Sequence, residues 1–523
     1  MAKHVSAPLA APDTSPNPTA HALASGPIGR RDFLVAAAAT TAVTMSMGTP
    51  VSNVASGADA TANTRLVPDL TKDLFRVRIE MDVQGNVDLP DNPLASRVSK
   101  QKLPIKSKAI FDYEERYRHP EGYDRDAFVV AAERYYHEAK NSSQLNRDEQ
   151  ELKLRESVRH VVVRRETLPE IVYSPDDSFT HDELGLIRIP ASSAALDQLL
   201  PSDTVSEGYS YDLPAETLGS LLNLTTVDRT NIKASVVEVS PMQCRIQLEG
   251  DLDGSVDGVP TVIRVAGKLV FDRRVNLCTW LALGVHETRE IGKAEPGFDV
   301  QATIKMVRQP LAKLVRLTAK PLPLSITQPI PAERLLVGIE SESLAASALM
   351  DRRWRMMRDV PGSAMMRMIQ DDQSIAQCDL RPLAPLSPGQ QWTLAAFEAD
   401  LRRTLSGQMT DLIQAGQGVS DSGLRVLQAT AAGQVEGVPI QWIVMHFSDD
   451  NGRRLLATFT MAASEIDRFA GSDLQLTASM RFQSRGNLPS EAEELASDEK
   501  NGPQIARRAD SADDEVQSVS DVR

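Results

Sequence analysis

The sequence predicts an α+β fold in two parts. The first is a large curved antiparallel sheet or open barrel with covering helices, and the second is an antiparallel sheet backed by helices. Apolar and polar residues alternate with a period of two in many segments, as in half-buried strands. Gly and Asp pairs separate several of these segments, and only short stretches show helical spacing or capping residues. A Pro-rich stretch at residues 319–332 indicates a linker between the two parts.

The composition limits the class of protein. The chain has 523 residues, of which 41% are apolar and 24% charged, so it has ordinary globular usage and a length that suggests two or three domains. The net charge of −14 argues against a general nucleic-acid-binding protein, because neutralising phosphates requires a surface dense in Lys and Arg. It also argues against docking on an anionic membrane through charge. No stretch after residue 60 approaches the roughly 20 apolar residues of a membrane span.

Residues 29–35 read Gly-Arg-Arg-Asp-Phe-Leu-Val and lead into a mildly apolar segment that ends near residue 47. This segment resembles a twin-arginine signal peptide, and the matching residues are Arg30, Arg31, Phe33 and Leu34. Small residues at Ala58 and Ala60 predict cleavage after Ala60. The resemblance implies that residues 1–60 are a signal peptide and that the chain folds before export to the periplasm or the extracellular space. No Cys lies in or just after the apolar segment, so a lipid anchor is excluded.

Residues 70–318 are predicted to form the curved sheet. In residues 74–83, Phe75, Val77, Ile79 and Met81 alternate with charged residues, which indicates a strand. Further strands are predicted at residues 105–117, 160–172, 235–239, 243–248, 259–271, 277–288 and 298–307. Turns are predicted at Gly85-Asn86, Asp253-Gly254 and Asp257-Gly258.

Fewer segments of this half favour a helix. Thr180 and Glu183 have the spacing of a capping box, which predicts the start of a helix. Short helices are predicted at residues 196–200 and 215–222, and the charged segment 146–155 is also helix-prone. Residues 127–140 fit either a strand or a helix.

The strands between residues 235 and 307 predict an antiparallel meander that curls around a core. This arrangement is similar to the open-barrel architecture of the LolA-type lipoprotein carriers. The likeness concerns the fold alone, because no sequence motif accompanies it.

Residues 333–484 are predicted to form the second domain. Its strands are predicted at residues 335–340, 353–357, 365–369, 374–379, 424–429, 440–447, 455–461 and 474–482. Helices are predicted at residues 391–408 and 464–470, and Asp449-Asp450-Asn451-Gly452 predicts a hairpin turn.

The order of these elements resembles the PsbP-like α/β sandwich family over residues 345–484. The likeness is carried by Cys378-Asp379-Leu380 with the helix after it, Ile440-Gln441-Trp442, residues 455–460, Phe469 with Asp473, and Ser479-Met480-Arg481-Phe482. It implies an antiparallel sheet backed by helices, in a family whose members mostly bind partners. No functional residue is implied, because the matching positions are core positions.

Two segments have nearly the same sequence: Val-Asp-Gly-Val-Pro at residues 256–260 and Val-Glu-Gly-Val-Pro at residues 435–439. The alternatives are a duplication and the independent use of one hairpin chemistry, in which Gly takes the positive φ of the turn. The second interpretation is favoured.

No motif for catalysis, a metal or a cofactor emerges. The histidines are dispersed, and Gly-x-Ser-x-Gly is absent. Cys244, Cys278 and Cys378 are too few for a disulfide framework. Cys244 and Cys278 could pair if their strands are neighbours, and the alternative is buried free thiols.

Aromatic and charged residues concentrate in two places that could form a ligand face. Tyr113, Tyr117 and Tyr135 could stack on a sugar or protein ligand, and Arg353 with Trp354 could bind an anion or a ring. The alternative is ordinary cross-strand pairing on an exposed sheet face.

The sequence therefore favours a non-catalytic envelope protein that binds an apolar ligand, such as a lipid, or a protein partner. The alternatives are a secreted hydrolase whose site assembles only in three dimensions and a structural component of an envelope assembly. A closed apolar cavity in residues 70–310 would favour carriage, whereas two carboxylates about 5–10 Å apart would favour glycoside hydrolysis. In residues 486–523, acidic residues outnumber basic ones ten to four, which predicts a disordered acidic tail.

Overall fold

Strands make up most of the regular structure. The computed structural model describes residues 63–89, 101–118, 131–318, 322 and 329–483. Of these residues, 56% lie in strands and 14% in helices. The predicted α+β class is therefore wrong, because the fold is dominated by large antiparallel sheets. The predicted signal peptide, the acidic tail and most of the predicted linker lie outside the described residues.

The first group of strands forms a sheet of 13 strands and a separate two-stranded pair, β1 with β8. In chain order they are β1 (Thr64–Arg65), β2 (Leu74–Leu89), β3 (Gln101–Arg118), β4 (Ala131–Leu145), β5 (Asp148–Lys153), β6 (His160–Arg164), β7 (Ile171–Tyr173), β8 (Thr204–Val205), β9 (Ser210–Asp212), β10 (Thr226–Thr230), β11 (Lys233–Val239), β12 (Gln243–Val256), β13 (Val259–Asp272), β14 (Leu277–Arg289) and β15 (Gly297–Pro310). The large sheet has the order β7-β6-β4-β3-β2-β15-β14-β13-β12-β11-β9, while β5 pairs with β4 and β10 with β12. The sheet is open, since β7 and β9 are its two ends.

The second group forms a three-stranded and a seven-stranded sheet, with orders β16-β17-β25 and β18-β19-β20-β24-β23-β22-β21. These strands are β16 (Leu336–Ser341), β17 (Ala346–Asp351), β18 (Trp354–Val360), β19 (Ser363–Gln370), β20 (Gln373–Leu383), β21 (Met409–Val419), β22 (Arg425–Val435), β23 (Val438–Ser448), β24 (Arg454–Ala462) and β25 (Arg481–Phe482). The described residues up to Arg481 belong to one compact unit.

The helices are short. They are α1 (His181–Ile187), α2 (Ala215–Leu222), α3 (Leu394–Thr404), α4 (Ile466–Phe469) and α5 (Ser472–Ser479), with 3-10 turns at Glu156–Val158, Ser193–Leu199, Ala332–Leu335 and Ala463–Glu465. The predicted capping box is confirmed, because Thr180 Oγ1 accepts the Glu183 N–H at 3.2 Å and Glu183 Oε2 accepts the Thr180 N–H at 2.9 Å. No helix of the described ranges is long and apolar enough to cross a membrane.

Many strands of the two large sheets bury one face, and some segments, such as residues 442–448 of β23, bury both. In β2, alternate residues from Phe75 to Val83 are buried, as the period-two pattern predicts. The turn Ser193–Leu199 covers part of this face, since its side chains bond to β3 and β15. In the seven-stranded sheet, α3 packs Phe397 and Leu401 onto a core that includes Leu427 and Trp442.

Two predicted turns are wrong, because Gly85-Asn86 lies within β2 and Asp253-Gly254 within β12. At both glycines, the backbone of the neighbouring strand approaches closely. A Cβ on Gly85 would lie 2.4 Å from the carbonyl oxygen of Asp299, and one on Gly254 would lie 2.2 Å from that of Thr226. A glycine in a strand pattern can therefore mark close contact with a neighbouring strand instead of a chain reversal.

Two predictions of element type are also wrong. The charged segment 146–155 contains β5, because Asn146 takes a positive φ of 56° and reverses the chain after β4. Residues 474–482 form mostly α5, which packs against β17 and buries Leu476. The ambiguous segment 127–140 becomes a strand from Ala131, where β4 begins.

The three cysteines are buried free thiols. Cys244 of β12 lies opposite Phe271 of β13, and Phe271 lies opposite Cys278 of β14. One whole strand therefore separates the two cysteines, and two strand spacings of about 4.8 Å exceed the reach of a disulfide. Cys244 and Cys278 do not pair.

Candidate functional site

The five residues proposed as a ligand face do not lie together on one exposed surface, and Arg353 lines the cleft described below. Tyr113, Tyr117 and Trp354 are buried, with exposed fractions of 2%, 4% and 0%, whereas Tyr135 and Arg353 are partly exposed. The two tyrosines bond to the 3-10 turn at residues 193–199, and Trp354 packs edge-on against Phe459. Three of the five side chains therefore belong to cores. The predicted signal residues Arg30, Arg31, Phe33 and Leu34 and the cleavage residues Ala58 and Ala60 lie outside the described residues.

A buried ionic network explains the concentration of charged and aromatic residues in β3 and β4. Glu115 accepts a hydrogen bond from Arg134 Nε at 2.7 Å and another from Ser193 Oγ at 2.7 Å. Arg308 donates to both carboxylate oxygens of Asp197 at 2.7 Å. Each buried charge has a partner of opposite sign, so this network stabilises one arrangement of sheet and turn and leaves no free group for a ligand.

The opposite face of β3 is also covered. Glu114 is fully buried and accepts the backbone N–H groups of Val315, Arg316 and Leu317 at 3.1–3.2 Å. His137 Nε2 lies 2.8 Å from the same carboxylate. Although burial opposes ionisation, these hydrogen bonds lower the pKa of Glu114. The segment that leaves the large sheet after β15 is thereby fixed against β3.

A cleft lies between the two groups of strands. It is lined by residues of α1, the β12–β13 turn and the end of β14 on one side, and by residues of β18 and the β19–β20 turn on the other. We call it the arginine cleft, after its residues Arg188, Arg289, Arg352 and Arg355, which lie beside His181. It encloses about 110 Å³ beside His181 and about 180 Å³ beside Arg352. Both volumes are below the roughly 300–1,000 Å³ of pockets that hold drug-sized ligands, so the space suits only a smaller molecule.

Close backbone contacts fix the two walls of the cleft. Gly258, in the β12–β13 turn, has a φ of +86°, and a Cβ there would lie 2.3 Å from the backbone carbon of Asp371. The N–H of Lys293 donates to Asp372 Oδ1 at 2.5 Å, and the N–H of Gly338 donates to the carbonyl of Phe179 at 2.7 Å. These contacts fix the distance between the two walls of the cleft.

Three of the arginines have little compensating charge. Within the described residues, no carboxylate lies within 4.0 Å of the guanidinium of Arg352 or Arg355, which donate to backbone carbonyls. Arg188 lies 3.9 Å from Asp257. Burial and the nearby charge of Arg188 lower the pKa of Arg352 to about 10. Among the described residues, the 3.9 Å contact with Asp257 is the one carboxylate contact of these three guanidinium groups within 4.0 Å, although the charge of Asp351 raises the pKa of Arg352 and further carboxylates line the cleft.

The remaining charges of the cleft are mostly paired. Arg289 lies 2.6 Å from Glu287 and 3.8 Å from Glu295, and its guanidinium stacks over Phe298. Glu287 and Glu295 therefore pair with Arg289, and Asp182, Asp371 and Asp372 add further carboxylates to the lining of the cleft. The arrangement can bind an anion through charge-assisted hydrogen bonds, which are among the stronger ones in proteins.

His181 adds a neutral group beside the three cations. Burial lowers its pKa well below the ordinary value, and the charges of Arg355, Arg352 and Arg188 act in the same direction. Its Nε2 atom is buried and has no hydrogen-bond partner in the described part of the chain, and the same holds for Arg188 Nε. Buried polar atoms of a protein are nearly always paired, so these two atoms are exceptions among the described residues.

The sequence contained the signals for this cleft but not their combination. Arg353 with Trp354 and the capping box at Thr180 and Glu183 lie next to Arg352, Arg355 and His181 in the sequence, yet the two segments are far apart in the chain. Arg188 belongs to no motif of the sequence, and the pattern at Asp257 predicts a turn and not a site. Among the described residues, no group of three or more His, Cys, Asp or Glu side chains is arranged to hold a metal ion.

Comparison with known proteins identifies no family. No family model matches the chain, and no curated protein matches it. A crystal structure from Bacteroides thetaiotaomicron is 12% identical, covers 31% of this chain and 56% of its own, and has a TM-score of 0.22. The putative regulator PA94 of Pseudomonas aeruginosa is 11% identical, covers 26% of this chain and 88% of its own, and has a TM-score of 0.16. Lipovitellin, in a structure of its lipid–protein interactions, is 8% identical over 48% of this chain and 27% of its own, with a TM-score of 0.28. These scores are too low to support an argument about fold or function.

Proposed function

We propose that this β-rich protein is an exported binding protein, and that it holds a small anionic ligand in the arginine cleft. The observation that supports the proposal is that Arg188, Arg352 and Arg355 line one cleft, where their one carboxylate contact within 4.0 Å among the described residues is that of Arg188 with Asp257 at 3.9 Å. Gathering three cations is unfavourable unless an anion is bound, because burial raises the energy of each charge and like charges repel. An anion would relieve both effects.

The apolar residues of the cleft restrict the class of ligand that the sequence predicts. Leu184, Leu222, Val256 and Met356 line the same space as His181 and Arg355. A purely apolar ligand would leave the guanidinium groups buried without a counter-charge. An acid with a small apolar body satisfies both kinds of wall, so the geometry favours it over a neutral lipid.

Export is a separate part of the proposal and rests on the sequence. Residues 29–35 resemble a twin-arginine signal, which would deliver a folded protein outside the cytoplasm. If variants with Arg30 and Arg31 changed to Lys were exported as efficiently as the natural chain, the twin-arginine route would be wrong.

Titration of the purified full chain with small anions tests the binding function. Isothermal calorimetry with malate, succinate, phosphate and sulfate should detect binding of at least one of them. Arg188→Gln and Arg355→Gln should each weaken that binding by about tenfold or more, since each removes a charge-assisted hydrogen bond.

Arg245→Gln is the matched control. Arg245 lies on the exposed face of β12, where its side chain is 54% exposed and lies 2.9 Å from Glu238. This variant should bind as the natural protein does. If no anion of the panel binds, or if all three variants weaken binding equally, the arginine cleft is not an anion site.

A further inference from the structure

The seven-stranded sheet ends in a long, exposed edge strand, β21. Among the described residues, β21 pairs with β22 on one side and with no other strand. It is 11 residues long, and most of its residues are exposed, including Ile413 at 54% and Val419 at 71%. An edge strand of this length presents a row of unpaired backbone N–H and C=O groups, so it is a template for pairing with another strand.

The hairpin that joins β21 to β22 shows which backbone groups of β21 point outwards. The N–H of Ser420 donates to the carbonyl of Leu424 at 2.8 Å, so the backbone of Ser420 points towards β22. Backbone direction alternates along an antiparallel ladder, and beyond two bulges the register of β21 is regular over residues 414–419. Every second residue of this segment therefore directs its N–H and C=O groups away from the sheet, and these residues are Ala415, Gln417 and Val419.

The other three ends of the two large sheets are short or charged. β7 and β9, which end the 13-stranded sheet, are three residues long each. β18, at the opposite end of the seven-stranded sheet, contains Arg355, Arg358 and Asp359. Short edges and charged side chains are usual means by which proteins prevent pairing between edge strands. Residues 412–420 contain no charged residue and no proline, so β21 lacks both kinds of protection.

We infer that β21 is a dimerisation edge, and that its partner is β21 of a second copy of this chain in antiparallel orientation. A second copy brings the same uncharged strand, so pairing satisfies the outward backbone groups of both copies without repulsion between side chains. Gly416 and Gly418 leave room for the approach, since a Cβ on either would meet no atom within 4 Å. Because the other sheet ends are short or charged, the assembly closes at two copies related by a two-fold axis. The inference is independent of the arginine cleft.

The outward residues of β21 are complementary to themselves. In an antiparallel pair, residues that exchange two backbone hydrogen bonds lie directly opposite each other. When two copies pair about Gln417, this residue lies opposite its own counterpart, and Ala415 lies opposite Val419 of the second copy. All three residues direct backbone groups outwards, so each donor meets an acceptor. A two-fold axis at Gln417 therefore extends the seven-stranded sheet into the second copy.

Sedimentation equilibrium of the purified full chain tests the inference at loading concentrations of about 1–100 μM, where a small interface associates. The natural chain should have twice the mass of one chain at the upper end of this range. Gln417→Lys places like charges opposite each other, and Gln417→Pro removes an outward N–H that the ladder with β22 does not use. Each should raise the dissociation constant of the dimer by about tenfold or more.

Gln434→Lys is the matched control for the added charge. Gln434 is an exposed residue of β22 whose N–H donates to the carbonyl of Gln408, before the start of β21 and away from residues 414–419. This variant should dimerise as the natural chain does.

Gln417→Cys gives a positive readout of the pairing. The two introduced cysteines would lie opposite each other, at a Cα separation of about 5.5 Å that a disulfide spans. Mild oxidation should therefore produce a covalent dimer. The natural chain is the control and should produce none, because its cysteines are buried.

A natural chain that stays monomeric over the whole range would overturn the inference. A dimer that persists in both Gln417→Lys and Gln417→Pro would overturn it as well, because the interface would then lie elsewhere. A Gln417→Cys dimer that does not crosslink would contradict antiparallel pairing about Gln417. Circular dichroism shows whether each variant is folded, and if Gln417→Pro is not, Gln417→Lys and Gln417→Cys decide.

Discussion

Two hairpins with nearly the same sequence occupy opposite environments. Residues 256–260 connect β12 to β13, and residues 435–439 connect β22 to β23. Both turns place two successive residues at positive φ: 48° and 86° in the first, and 52° and 81° in the second. These are the angles of a two-residue hairpin whose second position favours Gly. The local sequence therefore determines the turn in both places.

The surroundings of the two turns differ. A Cβ on Gly258 would lie 2.3 Å from the backbone of Asp371, whereas a Cβ on Gly437 would meet no atom within 4 Å. Val259 is 6% exposed and Val438 is 49% exposed. The first hairpin is a wall of the arginine cleft and the second projects into solvent. One local motif thus serves as a binding wall or as a plain connection, depending on what packs against it.

The largest expected difference between the two hairpins is in stability, and it compares Gly258→Ala with Gly437→Ala. Both variants force Ala into a positive φ, which costs about 1–2 kcal/mol. Gly258→Ala also drives a methyl group into the Asp371 backbone, so we expect a total of about 2–5 kcal/mol in the free energy of unfolding, together with loss of anion binding. Urea unfolding and calorimetry measure the two effects.

A result in which both glycine variants lose the same stability would contradict the close packing at Asp371. Gly437→Ala also serves as the binding control, because it should bind anions as the natural chain does. If Gly258→Ala unfolds more easily and yet binds normally, the turn supports the fold without shaping the cleft.

Some strands of the fold could be predicted from the sequence and others could not. Strands with one buried face, such as β2 and β13, were predictable because their alternation is regular. The segment at residues 146–155 was not, because it has no apolar period and its identity as β5 depends on the turn at Asn146. In the same way, the pattern could not show that Gly254 lies against the carbonyl of Thr226.

The site was less predictable than the fold. The concentration of aromatic and charged residues around Tyr113 and Tyr135 predicted a ligand face or an exposed sheet face, and only the pairing of β3 with β4 shows that Glu115 and Arg134 neutralise each other in the core. The arginine cleft joins segments more than 150 residues apart, from Arg188 to Arg355. No local spacing can encode such a site, since its geometry depends on how the two groups of strands pack.

A smaller difference concerns one histidine from each of the two groups of strands, both with a lowered pKa. The cleft beside the first hairpin contains His181, and β23, which follows the second hairpin, contains His446. His446 is 1% exposed and packs against Trp392 and Phe397. Burial lowers its pKa to about 4, and the charges of Arg454 and Arg425 act in the same direction.

This lowered pKa predicts a loss of stability in acid. In the unfolded chain the imidazole has an ordinary pKa of about 6.5, so between the two values the unfolded state binds more protons. The contribution is fully present above about pH 6.5 and is lost as the pH falls towards 4. His446→Leu should therefore lose less stability than the natural chain between those pH values, as measured by urea unfolding.

His286→Leu is the control for this measurement, since its ring lies at the surface beside Asp299. It should retain the acid sensitivity of the natural chain. A saturating anion should leave the difference between the natural chain and His446→Leu unchanged, because His446 lies in a core of the seven-stranded sheet. An unchanged pH profile in His446→Leu would show that other groups, such as Glu114, dominate the acid sensitivity.

The smallest expected difference between the two hairpins is in anion affinity, and it comes from the acidic residue of each turn. Asp257 lies 3.9 Å from Arg188 at the cleft, whereas Glu436 is exposed. Asp257→Asn keeps a residue that tolerates positive φ and removes a negative charge that competes with the ligand. We expect it to tighten anion binding by about two- to fivefold, an effect that high salt should reduce, whereas Glu436→Gln should leave the affinity unchanged. If Asp257→Asn weakens binding instead, Asp257 itself accepts a hydrogen bond from the ligand, and the first hairpin is then a contact in the site as well as its wall.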